Sequence, residues 1–224
     1  MNLAFYTCFY GGDNNIAFTI PPIPSLKYNC YYFTNNKDIL FKLKNTNWIG
    51  IYDVKPILDD LESARISKHV RVMPQNYDQI KNYDYLCYLD SKSGKINEAF
   101  IERQINNYFK QQNFALILRK HWIINGNVWY EYNGSINQTR YRLESEKYIN
   151  YIISQIRSGL SEKTNDHCAT GYLLRNMKHP KTIEINKTWF NHIQMCGIEC
   201  QISFHFIKQM FSQHIRSFTE NPFL

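Results

Sequence analysis

The sequence predicts one α/β domain, and three observations lead to this prediction. The chain has 224 residues, 44% of them apolar, which is enough to bury one sizeable core. Short runs of β-forming residues alternate with helical patterns through its first half. No internal repeat or low-complexity linker divides the chain. Strands that alternate with helices are typical of a sheet with crossover helices.

The predicted elements follow from hydropathy and turn residues. In the first half, strands are predicted at residues 3–10, 30–34, 48–53 and 85–89, with a helix at 57–69. Asp59 and Asp60 lie near the start of this helix, where acidic residues stabilise the positive end of the helix dipole. The second half is predicted to contain helices at 97–110, 139–158, 187–195 and 198–211, and strands at 114–118 and 169–175.

The cysteines and the N-terminus indicate a cytoplasmic protein. The six cysteines lie in apolar segments without the spacing of a disulfide framework, which is typical of thiols in a reducing compartment. The first ten residues contain no basic residue, and their apolar run stops at Gly11 and Gly12, unlike a secretory signal. No apolar stretch is long enough to span a membrane. We therefore expect no membrane span.

The net charge of +7 is compatible with a polyanionic partner such as nucleic acid. However, lysine and arginine are spread along the chain, and no dense basic block occurs. The charge suits a small phosphate-bearing ligand equally well. We therefore expect no nucleic-acid partner.

The most informative motif is a carboxylate at the end of an apolar strand. Residues 85–89 lead directly into Asp90. In open α/β sheets, ligands bind at the carboxyl ends of the strands. A carboxylate there can hold a divalent cation that bridges two phosphates. Asp90 can instead cap the turn that follows, and the segment alone slightly favours this cap over a metal ligand.

Two other segments allow a phosphate ligand. Arg65 and Lys68 are three residues apart on the predicted helix, so that they share a face and could clamp a pyrophosphate. By itself, this pair is more typical of a solvated basic face. The first strand leads into Gly11 and Gly12, where a backbone could approach a ligand closely, but the glycine spacing of a dinucleotide fingerprint is absent.

The whole chain carries an ordered series of short motifs. It starts with Tyr6-Thr7 through Gly11-Gly12-Asp13, followed by residues 30–35, Asn47-Trp48, Arg65 with Lys68 and Pro74, and Tyr83 before the strand into Asp90. His121, Tyr130-Glu131, Gly159-Leu160, Leu174-Arg175, Trp189-Phe190 and Gln201-Ile202-Ser203-Phe204 follow. In this order the motifs resemble a family of GT-A-type glycosyltransferase-like domains from bacterial capsule and cell-surface loci, large DNA viruses and plants.

This resemblance implies a GT-A-like single domain, with a central mixed, mainly parallel sheet flanked by helices. It implies a glycosyltransferase that moves a hexosyl or deoxyhexosyl group from a nucleotide-sugar donor, with a UDP-sugar favoured, to a glycan or glycoprotein acceptor. The donor half is expected at residues 1–95 and the acceptor half at 96–224. Manganese or magnesium is the expected cofactor.

The resemblance also assigns roles to individual residues. The catalytic group is expected to include Glu199 as the base, with His121 and Arg175 on the acceptor or leaving-group side. Asp90 is expected to hold the metal ion. The other donor-binding residues are Tyr6, Thr7, Tyr10, Thr34 and Asn35 at the nucleoside, Arg65 and Lys68 at the diphosphate, and Ser91 beside the metal.

The sequence departs from the family pattern at three places. Cys200 stands where an acidic residue often precedes the Gln-x-Ser-Phe segment, and Asn35 stands where an aspartate is frequent. The segment Asp90-Ser91-Lys92 has no second carboxylate. Two alternatives therefore stay open: a metal-dependent nuclease, which would need a further carboxylate on a neighbouring strand, and a non-catalytic module that binds sugar nucleotides.

Overall fold

The chain forms one seven-stranded sheet with helices on both faces, as predicted. The computed structural model describes residues 1–11, 20–57, 59–90 and 93–223. The strands are β1 (Leu3–Phe9), β2 (Asn29–Thr34), β3 (Ile49–Tyr52), β4 (Tyr85–Leu89), β5 (Leu116–Lys120), β6 (Cys168–Asn176) and β7 (Ile215–Phe218). Their order in the sheet is β3-β2-β1-β4-β6-β5-β7.

The sheet is mixed but mainly parallel. Strand β1 pairs in parallel with β2 and β4, β2 pairs in parallel with β3, and β5 pairs in parallel with β7. Strand β6 is antiparallel to both of its neighbours, β4 and β5. Of the seven described strands, six therefore point the same way, and their carboxyl ends share one edge with the start of β6.

The helices are α1 (Lys37–Leu43), α2 (Asp60–Val72), α3 (Glu98–Gln104), α4 (Val128–Ser135), α5 (Thr139–Arg142), α6 (Ser145–Arg157), α7 (Thr182–Cys196) and α8 (Cys200–Met210). A π-helical segment, Ile105–Gln111, continues α3, and a short 3₁₀ turn covers Pro74–Asn76. No helix in the described ranges is both long and apolar enough to cross a membrane.

Alternation along β1 separates the two layers of helices. Tyr6 and Cys8 face a buried cluster that includes Val70 of α2 and Trp189 of α7. Phe5 faces the opposite cluster, which includes residues of α1 and α3. Because successive side chains of a strand point to opposite faces, α2 and α7 cover one face of the sheet and α1 and α3 cover the other.

One predicted helix is divided. The prediction of a continuous helix over 139–158 was wrong because Glu144 leaves the helical conformation, with φ −110° and ψ 16°, between α5 and α6. Its buried carboxylate accepts hydrogen bonds from the backbone N–H of Ile198, at 2.7 Å, and from Arg65, at 2.9 Å. Glu144 thus links α2 and α6 to the turn between α7 and α8.

That turn depends on a glycine. Gly197 has φ 118° and ψ −174°, a conformation that residues with a Cβ rarely adopt. A Cβ at this position would lie 2.6 Å from Oε2 of Glu144. After this turn, Glu199 caps α8, because its carboxylate accepts from the backbone N–H of Gln201 at 3.0 Å.

Candidate active site

A cavity of about 800 Å³ opens at the carboxyl edge of the sheet. Its floor is formed by the ends of β1 and β4 and by the start of β6. Its walls are formed by α2, by residues 121–125, by α4 and α5, and by the start of α8. Both the first and the second half of the chain therefore contribute to it, at the place where open α/β sheets bind ligands.

Two cations of α2 face this cavity. Lys68 and Arg71 are three residues apart and lie on one helix face. Arg71 forms an ion pair with Asp90 and donates to the Tyr88 hydroxyl at 3.0 Å. Burial alone would lower the pKa of Arg71, but Asp90 raises it well above its ordinary value, so that the guanidinium is permanently charged.

Cys200 connects the two cations to α8. Its sulfur accepts hydrogen bonds from Nζ of Lys68 at 3.4 Å and from Nη1 of Arg71 at 3.2 Å. The hydroxyl of Thr170 lies 3.2 Å from the same sulfur. Since lysine and arginine can only donate, the thiol sulfur acts as their shared acceptor. The first turn of α8 therefore fixes the spacing of the two cations.

Arg65 points elsewhere. It donates to Glu144 at 2.9 Å, contacts Glu62, and is not among the residues that line the cavity. The cationic pair in the cavity is therefore Lys68 with Arg71, and not Lys68 with Arg65. The i,i+3 rule that selected Arg65 also connects Lys68 to Arg71, so the sequence already contained this signal.

Arg175 lies below the cavity and is fully buried. It donates to Asn186 at 3.1 Å and to the Tyr6 hydroxyl at 2.9 Å, and that hydroxyl donates to the backbone carbonyl of Arg71 at 2.9 Å. Burial lowers the pKa of Arg175. Arg175 and Tyr6 therefore lie behind the cavity lining: the Tyr6 hydroxyl bonds to the backbone of Arg71, and the Tyr6 ring packs against Tyr88.

The residues predicted to face a nucleoside lie in three places. Tyr10 lines the cavity, and its hydroxyl donates to Asp53 at 2.9 Å. Thr7 is buried within the sheet, and its hydroxyl has no hydrogen-bond partner among the described residues. Thr34 is buried at the end of β2, where its hydroxyl accepts from the backbone N–H of residue 36. Ser91, together with Gly12, Asp13 and Lys92, lies outside the described residues.

Asn35 binds the loop that follows β1 and lines a different, smaller cavity. Its side chain accepts from the backbone N–H of Gly11 at 3.1 Å and donates to the carbonyl of Pro56 at 2.8 Å. The smaller cavity, of about 520 Å³, also includes Lys37 and Lys55 among its lining residues. Asn35 is therefore separated from the cationic pair of α2.

Two buried carboxylates lie at the other side of the main cavity. Gln201 joins them: its backbone N–H donates to Glu199 at 3.0 Å, and its side-chain amide donates to Glu131 at 2.7 Å. The amide oxygen of Gln201 accepts from the backbone N–H of Thr170 at 3.1 Å. Burial raises the pKa of both carboxyl groups, and the charge of Glu131 raises that of Glu199 further.

His121 also lines the cavity. Its Nδ1 accepts from the backbone N–H groups of Ile123, at 3.2 Å, and Ile124, at 3.0 Å. Burial lowers the pKa of His121, which favours the neutral ring. With Nδ1 acting as an acceptor, the neutral ring carries its proton on Nε2, the nitrogen that is left to contact a ligand.

The contacts of the Asp90 carboxylate decide which kind of metal site is possible. Oδ1 already accepts from Arg71 and, at 2.9 Å, from Tyr88. Oδ2 lies against Gly171, 2.9 Å from the place where a Cβ would be, so that a side chain at position 171 would crowd it. Among the described residues, no group of three or more histidine, cysteine or acidic side chains could hold an ion. Asp90 therefore fits a cation that arrives with a diphosphate, since Mg²⁺ often binds through one carboxylate and substrate phosphates.

The fold is similar to those of two solved glycosyltransferase structures. Mouse xyloside xylosyltransferase 1, in its apo form, is 9% identical, with a TM-score of 0.57 over 97% of this chain and 85% of that chain. Core-mannan synthase A from Aspergillus fumigatus, in its Mn/GDP form, is 11% identical, with a TM-score of 0.51 over 97% of this chain and 73% of that chain. The chain has a GT-A-like fold.

For this GT-A-like domain, the similarity establishes the fold alone, because the identities are so low. No protein-family model and no curated protein matches the sequence. The predicted fold class is therefore confirmed. The narrower family of capsule loci, viruses and plants stays a prediction, as does the predicted role of each site residue.

Sequence reasoning assigned no role to Arg71, Glu131 or Gln201. Glu131 and Gln201 belong to the motif series, but both motifs are short and neither contains a residue type that is specific for one chemistry. Glu131 and Gln201 meet in the cavity through a hydrogen bond between positions 70 residues apart, which a local sequence pattern does not reveal.

Proposed function

We propose that this GT-A-like domain is a glycosyltransferase, which moves a sugar from a nucleotide-sugar donor to a hydroxyl of a glycan or glycoprotein. The observation that carries the proposal is the composition of the main cavity. Lys68 and Arg71 lie on one side, and a buried carboxylate with a raised pKa, Glu199, lies on another. Transfer of a glycosyl group from a diphosphate needs cations for the leaving group and a base for the acceptor.

Lys68 and Arg71 are proposed to bind the diphosphate. The planar guanidinium can bind two phosphate oxygens at once, and the lysine adds a point charge. Tyr10, at the end of β1 in the same cavity, is proposed to contact the nucleoside. A UDP-sugar is our favoured donor, with a hexosyl or deoxyhexosyl group as the part transferred.

Asp90 is proposed to hold Mn²⁺ or Mg²⁺ through Oδ2, together with the donor diphosphate. Such an ion would neutralise charge on the departing nucleoside diphosphate. The Mn/GDP form of Core-mannan synthase A supports this assignment by analogy of fold. Arg71, a permanent cation beside Asp90, would also neutralise charge on the departing nucleoside diphosphate.

Glu199 is proposed as the general base. The acceptor oxygen forms the new bond to the anomeric carbon while the bond from that carbon to the phosphate oxygen breaks, and the acceptor proton passes to the Glu199 carboxylate. Burial raises the pKa of Glu199, which makes it a stronger base than an exposed glutamate. The acceptor would enter beside His121 and residues 123–125, which line the same cavity.

The test is the thermal stability of the pure protein with UDP-, GDP- and dTDP-sugars, each with and without Mn²⁺. A ligand present at 100 times its Kd stabilises the native state by about 2.7 kcal/mol. We expect one nucleotide class to raise the melting temperature, and Lys68→Ala to abolish that rise. Lys187→Ala, an exposed lysine on α7, is the matched control and should keep it.

Two results would contradict the proposal. No rise with any nucleotide sugar would favour a domain that has the fold without the donor site. An equal rise in Lys68→Ala and in the wild-type protein would place the nucleotide outside the main cavity, and the smaller cavity around Asn35 would then be the place to search.

A further inference from the structure

Glu131 is a buried carboxylate at the wall of the main cavity that has no part in the proposed reaction. It lies in the first turn of α4, and its side chain is only 6% exposed. Burying a carboxylate costs free energy unless its oxygens are hydrogen-bonded. Yet among the described residues only Oε1 accepts a hydrogen bond, from the amide of Gln201 at 2.7 Å.

The other oxygen of Glu131 is not satisfied by its neighbour. Oε2 lies 3.0 Å from Nε2 of His167, but the two atoms are not aligned for a hydrogen bond, and neither has another partner among the described residues. The pKa of His167 is lowered by burial to about 4, so this ring is neutral at physiological pH and gives Glu131 no counter-charge. An ionised Glu131 at this position therefore lowers the stability of the folded state.

Glu131 accepts a hydrogen bond from the side chain of Gln201. The amide of Gln201 has its orientation fixed at both ends, since its nitrogen donates to Glu131 and its oxygen accepts from the backbone of Thr170 in β6. Its backbone N–H donates to Glu199. One residue thus connects both carboxylates, because its side chain bonds to Glu131 and its backbone N–H bonds to Glu199.

We propose that Glu131 is a positioning residue for Glu199: through Gln201 it fixes the Glu199 carboxylate at the wall of the cavity, and it places a second negative charge beside that carboxylate. This inference rests on the proposed function of Glu199 as the base. It does not require Glu131 to touch either substrate.

The electrostatic surroundings of Glu199 support this role. Burial raises its pKa most, and the charge of Glu131 on α4 raises it further, while Lys68 and Arg71 on α2 lower it. Among the described residues, Cys200 adjoins it on α8, and the charge of Glu199 raises the pKa values of Tyr141 on α5, Tyr148 on α6, Cys196 on α7 and His167. Among these groups, Glu131 is the carboxylate that shares a hydrogen-bonding partner, Gln201, with Glu199.

The first experiment compares Glu131→Gln with the wild-type protein, using the nucleotide sugar that stabilises the wild type and water as the acceptor. Release of the nucleoside diphosphate is measured from pH 5 to pH 9. Removing the charge of Glu131 should lower the pKa of Glu199, so the acid limb of the profile should move to lower pH by about one unit. Glu146→Gln, an exposed glutamate on α6, is the matched control and should leave the limb in place.

A merely structural role gives a different result. If Glu131 only stabilised the fold, Glu131→Gln would lower the rate by the same factor at every pH, and the acid limb would not move. That outcome would overturn the proposal. Donor-induced thermal stabilisation, measured on the same samples, should be unchanged in Glu131→Gln, which separates this test from the test of the donor site.

A second measurement needs no donor. Unfolding by urea is compared for Glu131→Gln, Glu199→Gln and the double variant at pH 5 and pH 8. If the two charges interact, Glu131→Gln should stabilise the wild-type protein more than it stabilises the Glu199→Gln variant, and this difference should grow between pH 5 and pH 8. A difference that does not change with pH would overturn the electrostatic part of the proposal even if no nucleotide sugar binds.

Discussion

Arg71 and Asp90 form an ion pair across the floor of the main cavity, although one lies on α2 and the other directly follows β4. Arg71 is largely buried, whereas the Asp90 side chain is 43% exposed. A diphosphate that binds Arg71 must therefore compete with Asp90, unless a divalent cation engages the carboxylate at the same time. This competition leads to the first prediction.

Asp90→Asn should make nucleoside diphosphate binding independent of metal. The amide is a weaker acceptor for the guanidinium than the carboxylate, so Arg71 becomes available to phosphate. We expect binding without metal to tighten about tenfold, which corresponds to about 1.4 kcal/mol, and the effect of Mn²⁺ to disappear. Calorimetric titration of UDP and GDP with Mn²⁺ or EDTA measures both. Asp78→Asn, an exposed carboxylate paired with Lys81, is the control; weaker binding in Asp90→Asn without metal would contradict the prediction.

Gly197→Ala should destabilise the protein by about 3 kcal/mol. The substitution forces alanine into a backbone conformation that essentially only glycine adopts, and its Cβ would clash with Glu144. Urea unfolding measures the loss. Gly134→Ala is the matched control, because Gly134 lies in α4 with open space around it and alanine is the better helix former. A loss below about 1 kcal/mol in Gly197→Ala would mean that the turn before Glu199 can relax.

Stability should fall as the pH is lowered from 6.5 to 4. Burial lowers the pKa values of His167 and His205 from 6.5 to about 4. In this window the unfolded state binds protons that the folded state does not, so the stabilisation present above pH 6.5 is lost as the pH approaches 4. Each histidine should account for about 3 kcal/mol. Urea unfolding at pH 4.5, 5.5 and 7 measures the slope.

The slope should become shallower in His205→Gln, in which an amide can keep donating to the carbonyl of Ser161, as Nε2 of the histidine does. His214→Gln, at a partly exposed histidine, serves as the comparison. Equal slopes in His205→Gln and in the wild-type protein would show that His205 is protonated in the folded state at these pH values.

Arg175→Met should lower stability without removing the proposed donor site. Arg175 is fully buried and bonds only to Tyr6 and Asn186 among the described residues, so that its loss breaks two hydrogen bonds below the cavity. Loss of each such bond from a charged group costs about 1.5–3 kcal/mol, offset in part by the removal of a buried charge. We expect a lower melting temperature but donor affinity within about twofold of the wild type. Loss of donor binding in a folded variant would instead support a direct role for Arg175.

The sequence predicted β1 to β6 well because each is an apolar run with clear ends. It missed α1, α4 and β7, whose short segments, Lys37–Leu43, Val128–Ser135 and Ile215–Phe218, show no strong periodicity. Asp90 and Glu199 could be placed beside a cavity because each adjoins the end of an element. Arg65 could not be placed correctly, because its direction is set by Glu144, which is 79 positions away. The burial of Arg175 could not be predicted from the sequence either, because it depends on the packing of α7 and α2 against the sheet.

The reversed strand β6 has a consequence for engineering. It comes from the second half of the chain but pairs with β4 of the first half, and it brings Thr170 and Gly171 against Arg71 and Asp90. A chimera that joins residues 1–95 of this chain to the second half of another GT-A-like domain would therefore replace part of the floor beneath the cations. If the main cavity binds the proposed donor, exchanging donor preference between two such domains should require grafting β6 and the start of α8 together with the first half.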